Sequence, residues 1–194
     1  MLESLLIPTA AVALAEIGDK TQLLALLLAA RFRRPWPIIC GIVAATLANH
    51  LAAGAVGNWV AGFFSPSALS WLLAACFAAV AAWTLIPDKL DEEDSGLRRH
   101  GPFLTTLIAF FLAEMGDKTQ IATVMLAAQY PHFLLVVAGT TLGMLIANVP
   151  VVLAGNFAAD RLPLTLIRRL AALAFAALAL YAAGQALGLP TAGL

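Results

Sequence analysis

Apolar residues run along this chain in long blocks, broken by small clusters of proline, glycine and charge and lacking the strict alternation of a half-buried strand. A helix needs about 20 mainly apolar residues to cross the hydrocarbon layer of a bilayer. Six blocks satisfy this: 5–30, closed by Arg31, Arg33 and Arg34 with Pro35 and Pro37; 38–64, before Ser65-Pro66-Ser67; 68–86, stopping at Pro87; 103–128, before Pro131-His132; 133–158; and 164–187, loosened at its end by Gly184, Gly188 and Pro190. The pattern predicts an all-α integral membrane protein with six transmembrane helices.

Composition agrees. Of 194 residues, 62% are hydrophobic and 11% charged, against about 45–50% and about 25% in soluble domains. Eleven basic and eleven acidic residues cancel, so no overall positive field exists to hold a nucleic-acid backbone, and nucleic acid is not expected as a partner. Cys40 and Cys76 are isolated in apolar runs and read as packing residues, without the spacing of a disulfide framework or a zinc cluster. The start Met1-Leu2-Glu3 lacks a positive signal-peptide region, so the first apolar run is read as retained.

Positive residues concentrate in cytoplasmic loops. Nine of the eleven lie after the first, third and fifth blocks: Arg31, Arg33, Arg34; Lys89, Arg98, Arg99; Arg161, Arg168, Arg169. The alternate connections and both ends contain none, so both termini are expected on the extracytoplasmic side of the membrane. Trp36, Trp59, Trp71 and Trp83 fall toward helix ends, as interfacial anchors do. The segment 88–102, with Asp88, Asp91, Glu92, Glu93 and Asp94 ahead of Arg98 and Arg99, reads as a charged cytoplasmic linker.

The remaining two basic residues belong to a repeat. Ala15-Glu16-Ile17-Gly18-Asp19-Lys20-Thr21-Gln22 returns 98 positions later as Ala113-Glu114-Met115-Gly116-Asp117-Lys118-Thr119-Gln120, seven of eight positions identical. At the same offset Gly41 matches Gly139 and Gly57-Asn58 matches Gly155-Asn156; Asn49 and Asn148 correspond if the register slips by one. The chain therefore divides into two three-helix repeats, 1–87 and 103–194, joined by 88–102. An odd number of crossings per unit makes the second copy enter from the opposite side, so the repeats are expected to be inverted, a plan that recurs in transporters with the site at mid-depth.

Glu16, Asp19, Glu114 and Asp117 fall near the middle of the first and fourth blocks. Each ionisable group there costs at least about 2.5–3.5 kcal/mol on insertion scales, so the set calls for a function. Read as continuous helix, Glu16 and Asp19 project within about 60° of one another, and the inverted copy offers two more carboxylates across the interface. An all-oxygen cluster suits Ca²⁺, Mn²⁺ or Mg²⁺. Gly18 and Gly116 leave room for close helix approach or for a break in the helix. Lys20 and Lys118 are expected to neutralise carboxylates of the empty site, and Thr21, Gln22, Thr119 and Gln120 to line the ion's path, with Asn49 and Asn148 as further lining residues. His50, His100 and His132 stand alone and read as solvated or locally hydrogen-bonded.

The duplicated Glu-x-Gly-Asp-Lys-Thr in a six-helix chain of this size resembles the GDT family of membrane cation transporters, whose hallmark is a duplicated E-x-G-D-[KR]-[TS]; Glu16, Gly18, Asp19, Lys20, Thr21 and Glu114, Gly116, Asp117, Lys118, Thr119 all fit. The resemblance spans essentially the whole chain. It implies manganese or calcium transport in exchange for protons, in bacteria mainly manganese export, with the two motifs facing each other around the ion. A more distant similarity is to the lysine-exporter superfamily, which moves amino acids or metals. The expected partners are a divalent cation, as substrate rather than cofactor, and the lipid bilayer; self-association is left open. Paired acids also occur in intramembrane aspartyl proteases, but those use Gly-x-Gly-Asp where this chain has Glu16 and Glu114, so no enzyme is expected, and a channel or structural subunit does not call for the duplicated motif. No nucleotide-binding motif is present that would let the chain use ATP directly.

Overall fold

The computed structural model describes residues 1–86, 101–154 and 164–189, and every regular element among them is helical. Eight helices follow in order: α1 (Glu3–Glu16), α2 (Lys20–Phe32), α3 (Pro35–Ala61), α4 (Pro66–Thr84), α5 (Pro102–Glu114), α6 (Lys118–Gln129), α7 (Phe133–Ala154) and α8 (Leu164–Ala186). Proline opens α3, α4 and α5, where its missing N–H costs nothing because the first turn has no acceptor for it. Ser65 caps α4 by accepting the Ala68 N–H at 3.4 Å. Most of 88–102, including its charge cluster, lies outside the described residues, as do the end of the fifth block and the Arg161 loop.

Among the described residues, four helical stretches are long and apolar enough to cross a membrane: Pro35–Ala61, Pro66–Thr84, Phe133–Ala154 and Arg168–Ala186. The first and fourth blocks are not single helices, and of the two roles left open for Gly18 and Gly116 the break in the helix is the one observed. Each is cut in two at its motif, giving α1 and α2, then α5 and α6, of 14, 13, 13 and 12 residues. At about 1.5 Å per residue each half reaches only about 20 Å, short of the roughly 30 Å hydrocarbon core.

Helices of the two halves exchange partners in a matched way. α1 packs on α7 as α5 packs on α3, α2 on α7 as α6 on α3, while α3 meets α7 and α4 meets α8. The starts of α2 and α6, α3 and α7, and α4 and α8 are each separated by the 98-residue offset of the motif. Glycine makes these approaches close: Gly41 lies against the Phe103 carbonyl of α5, and its counterpart Gly139 lies against the Leu5 carbonyl of α1. Between α4 and α8, Phe77 and Phe175 stack with centroids 6.5 Å apart.

Polarity is distributed as in a protein whose solvent is lipid. Leu112, Ile146, Leu153, Leu173 and Leu180 are exposed, whereas Glu16, Asp19, Glu114, Asp117 and Lys118 are buried. Several hydroxyls within the helices turn back on their own backbone, as Thr9 to the Leu5 carbonyl (2.7 Å) and Thr84 to the Val80 carbonyl (2.8 Å), which satisfies them without water. The molecule is a multi-pass helical membrane protein. Trp36, Trp59 and Trp71 are exposed near the starts or ends of α3 and α4, in keeping with interfacial anchoring. Cys40 is exposed on α3 rather than packed, and both cysteines are free thiols.

Candidate cation site

Both helix breaks have the same backbone. After Glu16 ends α1, Ile17 is extended (φ −67°, ψ 115°), Gly18 is left-handed (φ 83°) and Asp19 is extended again (φ −82°, ψ 167°) before Lys20 opens α2. Met115 (−66°, 118°), Gly116 (φ 76°) and Asp117 (−78°, 164°) repeat it between α5 and α6. A left-handed residue cannot continue the helix, and glycine is the residue that adopts it without a Cβ clash.

The glutamine that closes each motif satisfies the backbone this opens. Gln22 Oε1 accepts the Gly18 N–H at 2.8 Å, and Gln120 Oε1 accepts the Gly116 N–H at 2.7 Å. Gln22 Nε2 also donates to the Ala147 carbonyl of α7 at 3.0 Å, tying the first break to the second half. Each amide oxygen is thus engaged at its own break. The Asp19 and Asp117 N–H groups donate to the Glu16 and Glu114 carbonyls at 3.0 and 3.1 Å.

The break also corrects the helical-face argument for the acids. Glu16 is the last residue of α1 and Asp19 the cap of α2, so they do not share one helix face. They converge because the chain turns between them. Neither Asp19 nor Asp117 spends its carboxylate on the helix N-terminus it precedes, although an aspartate in that position commonly does.

Glu16, Asp19 and Asp117 each offer an oxygen within 4.8 Å of the others, and all three residues are buried. Two copies of the motif thus contribute to one cluster. The lysines cross between copies: Lys20 Nζ lies 3.5 Å from Asp117 Oδ1, and Lys118 pairs with Asp19. Four carboxylates against two ammonium groups leave a formal excess of two negative charges when all are ionised, which a divalent cation cancels. An ion with bonds of about 2.0–2.6 Å holds its oxygens no more than about 4–5 Å apart, so the three carboxylates are nearly in place for a shared ion. Thr21 Oγ1 donates to Glu16 Oε2 at 2.5 Å, and Glu16 Oε1 has no hydrogen-bond partner among the described residues. Thr119 Oγ1 lies 3.4 Å from Asp117 Oδ2.

Glu114 stands apart from this trio. Thr46 of α3 donates to its Oε1 at 2.8 Å, while His50 Nε2 faces its Oε2 at 3.9 Å. His50 is wholly buried, contrary to the solvated or locally bonded histidine expected from sequence, because its position falls mid-way along α3, against the second motif. Thr46, Asn49 and His50 recur at helical spacing in an otherwise apolar stretch, and this polar stripe was the readable signal for both Thr46 and His50. Asn49 Nδ2 donates to the Phe111 carbonyl at 3.0 Å, and Asn148 Nδ2 to the Met144 carbonyl of its own helix at 3.0 Å. With α3 and α7 beginning 98 residues apart, no register slip is needed, and the counterpart of Asn148 is His50 rather than Asn49.

Comparison with known proteins places the chain among membrane cation transporters. The profile of a family described as "Divalent cation/proton antiporter GDT1" matches residues 4–92 and 102–189. A protein of Vibrio cholerae named "Putative manganese exporter" is 56% identical over 181 residues, covering 93% of this chain and 90% of that protein. A GDT1-like protein of Synechocystis sp. is 27% identical over 172 residues, covering 78% of this chain and 82% of its own length. No solved structure matches the chain at a significant level. The chain belongs to the GDT1 family of divalent cation/proton antiporters.

Proposed function

We propose that this protein exports Mn²⁺ from the cytoplasm in exchange for protons, binding the ion between its two motifs at the middle of the bilayer. The observation that carries the reading is the buried trio Glu16, Asp19 and Asp117, drawn from both halves of the chain. The relative from Vibrio cholerae, whose name specifies manganese, supports Mn²⁺ over Ca²⁺, which the same oxygens accept.

In this reading α1 with α2, and α5 with α6, each form one broken crossing, so that six crossings make two inverted three-helix repeats, 1–87 and 103–194. The matched exchange of helix partners supports that arrangement. The basic residues supply the orientation, with both termini outside and the connection 88–102 in the cytoplasm of a bacterial cell bounded by its inner membrane. Broken helices serve the chemistry directly. They bring carbonyl ends and helix N-termini to the site, where a cation and the carboxylates find complementary partial charges.

Lys20 and Lys118 hold Asp117 and Asp19 across the interface. An arriving cation competes for those carboxylates, and Glu16 and Glu114 bind it or protons in turn, so that occupancy by one excludes the other. Glu114, held by Thr46 outside the trio, joins the ion as it moves, and site residues are thereby Glu16, Asp19, Glu114 and Asp117.

The test is flux into proteoliposomes. Mn²⁺ movement should exceed that of empty vesicles, respond to an imposed pH gradient and fall to background when Glu16→Gln is combined with Glu114→Gln. Absence of Mn²⁺ flux, or undiminished flux in the double variant, rejects the proposal; Ca²⁺ flux alone transfers it to calcium.

A further inference from the structure

Among the described residues, His50 is a wholly buried polar group that the carboxylate site does not explain. Neither of its ring nitrogens has a hydrogen-bond partner among the described residues, and the same is true of Glu114 Oε2. These two groups face each other at 3.9 Å, beyond hydrogen-bond range, while Thr46 holds the other Glu114 oxygen at 2.8 Å. Buried polar atoms left in this way cost stability, and in native proteins they call for an explanation such as an ion.

The separation fits one. Two atoms each bound at about 2.2 Å to a shared ion stand about 3.1 Å apart at right angles and about 4.4 Å apart in line, and the observed gap lies between. We propose that His50 donates Nε2 as a nitrogen ligand to the transported ion at Glu114, and that this ligand makes the protein favour transition-metal dications over Ca²⁺ and Mg²⁺. The inference rests on the transport reading above. Carboxylate oxygens bind Mn²⁺, Ca²⁺ and Mg²⁺ alike, whereas imidazole is a ligand for transition metals and adds little for the hard alkaline-earth ions. Discrimination by ligand type therefore falls to His50.

The arrangement is one-sided. The equivalent position on α7 is Asn148, buried, with Oδ1 unpartnered, an oxygen where the first half has nitrogen. Glu16, the counterpart of Glu114, takes its hydroxyl from Thr21 of its own motif instead of from the neighbouring long helix. The two arms of a duplicated site thus differ in ligand chemistry.

Electron spin-echo envelope modulation of Mn²⁺ bound to the purified wild-type protein tests this directly. Modulation from a coordinated ¹⁴N is expected, and it should vanish in His50→Asn with Mn²⁺ still bound. Partners that merely orient a metal ligand are worth about 10–100-fold in affinity, so the preference for Mn²⁺ over Ca²⁺ in competition binding should fall at least about tenfold in that variant. Mn²⁺ bound without nitrogen modulation in the wild type overturns the role of His50 and leaves manganese transport standing, as does an unaltered Mn²⁺/Ca²⁺ preference in His50→Asn. Failure of the wild type to bind Mn²⁺ overturns both. The wild-type spectrum decides the matter without depending on how well the variant folds.

Discussion

Replacing Gly116 by alanine isolates what the helix break contributes. A Cβ built there has no atom within 4 Å, so the substitution introduces no clash and its cost is that of holding an L-residue at φ 76°, about 1–2 kcal/mol. The strain is relieved if the chain leaves the left-handed conformation, and a difference of that size shifts the ratio of broken to relaxed conformers by roughly 5–30-fold. Relaxation swings Asp117 away from Glu16 and Asp19, which meet it because the chain turns at Gly116. Gly116→Ala should therefore lose Mn²⁺ affinity and transport by a factor in that range, in equilibrium binding and proteoliposome flux. Gly188→Ala is the control. Gly188 is also left-handed (φ 68°) with open space around its Cβ, but it lies beyond the end of α8, far along the chain from either motif. It should leave affinity unchanged. Equal binding and flux in Gly116→Ala and wild type would refute the claim that the left-handed glycine sets the carboxylate geometry.

Two further substitutions probe the scaffold. Gln22→Ala removes the acceptor of the Gly18 N–H and the donor to the Ala147 carbonyl, each worth about 1–3 kcal/mol if left unsatisfied. Its thermal midpoint in detergent should fall further than that of Gln120→Ala, whose bond to Gly116 lies exposed; the reverse order would contradict the stapling role. Gly143→Ala sets a Cβ 2.6 Å from the Thr9 carbonyl oxygen and 2.9 Å from the Ala13 nitrogen. Because both are helix backbone, α1 and α7 must separate, at a cost of about 1–3 kcal/mol, read as a lower unfolding temperature with reduced flux, and an unshifted midpoint would show that the interface yields easily.

Much of this molecule is written in its local sequence. Long apolar blocks select helices in lipid because every backbone group must be satisfied within the segment, and that holds wherever the blocks sit. The repeated motif named four acids, two lysines and the two glycines, Gly18 and Gly116, at which the helices break, since charge in an apolar block and glycine beside it are visible one residue at a time. Among the described residues, four of the six apolar blocks appear as single helices long enough to cross a membrane, and the other two blocks are each cut into two shorter helices at Gly18 and Gly116.

What the sequence by itself determined is thus the helical class, the lipid environment and the identity of the acidic residues, all consequences of composition and of chemistry within a few positions. Tertiary structure alone decided which carboxylates meet: three gather, while Glu114 turns to Thr46 and His50 of α3. It likewise decided that each lysine serves the opposite copy and that Gln22 reaches Ala147, 125 residues away. The physical reason is that a helix presents side chains in every direction around its axis, and packing against other helices selects the one that becomes the interior. No local pattern records which distant helix will stand there.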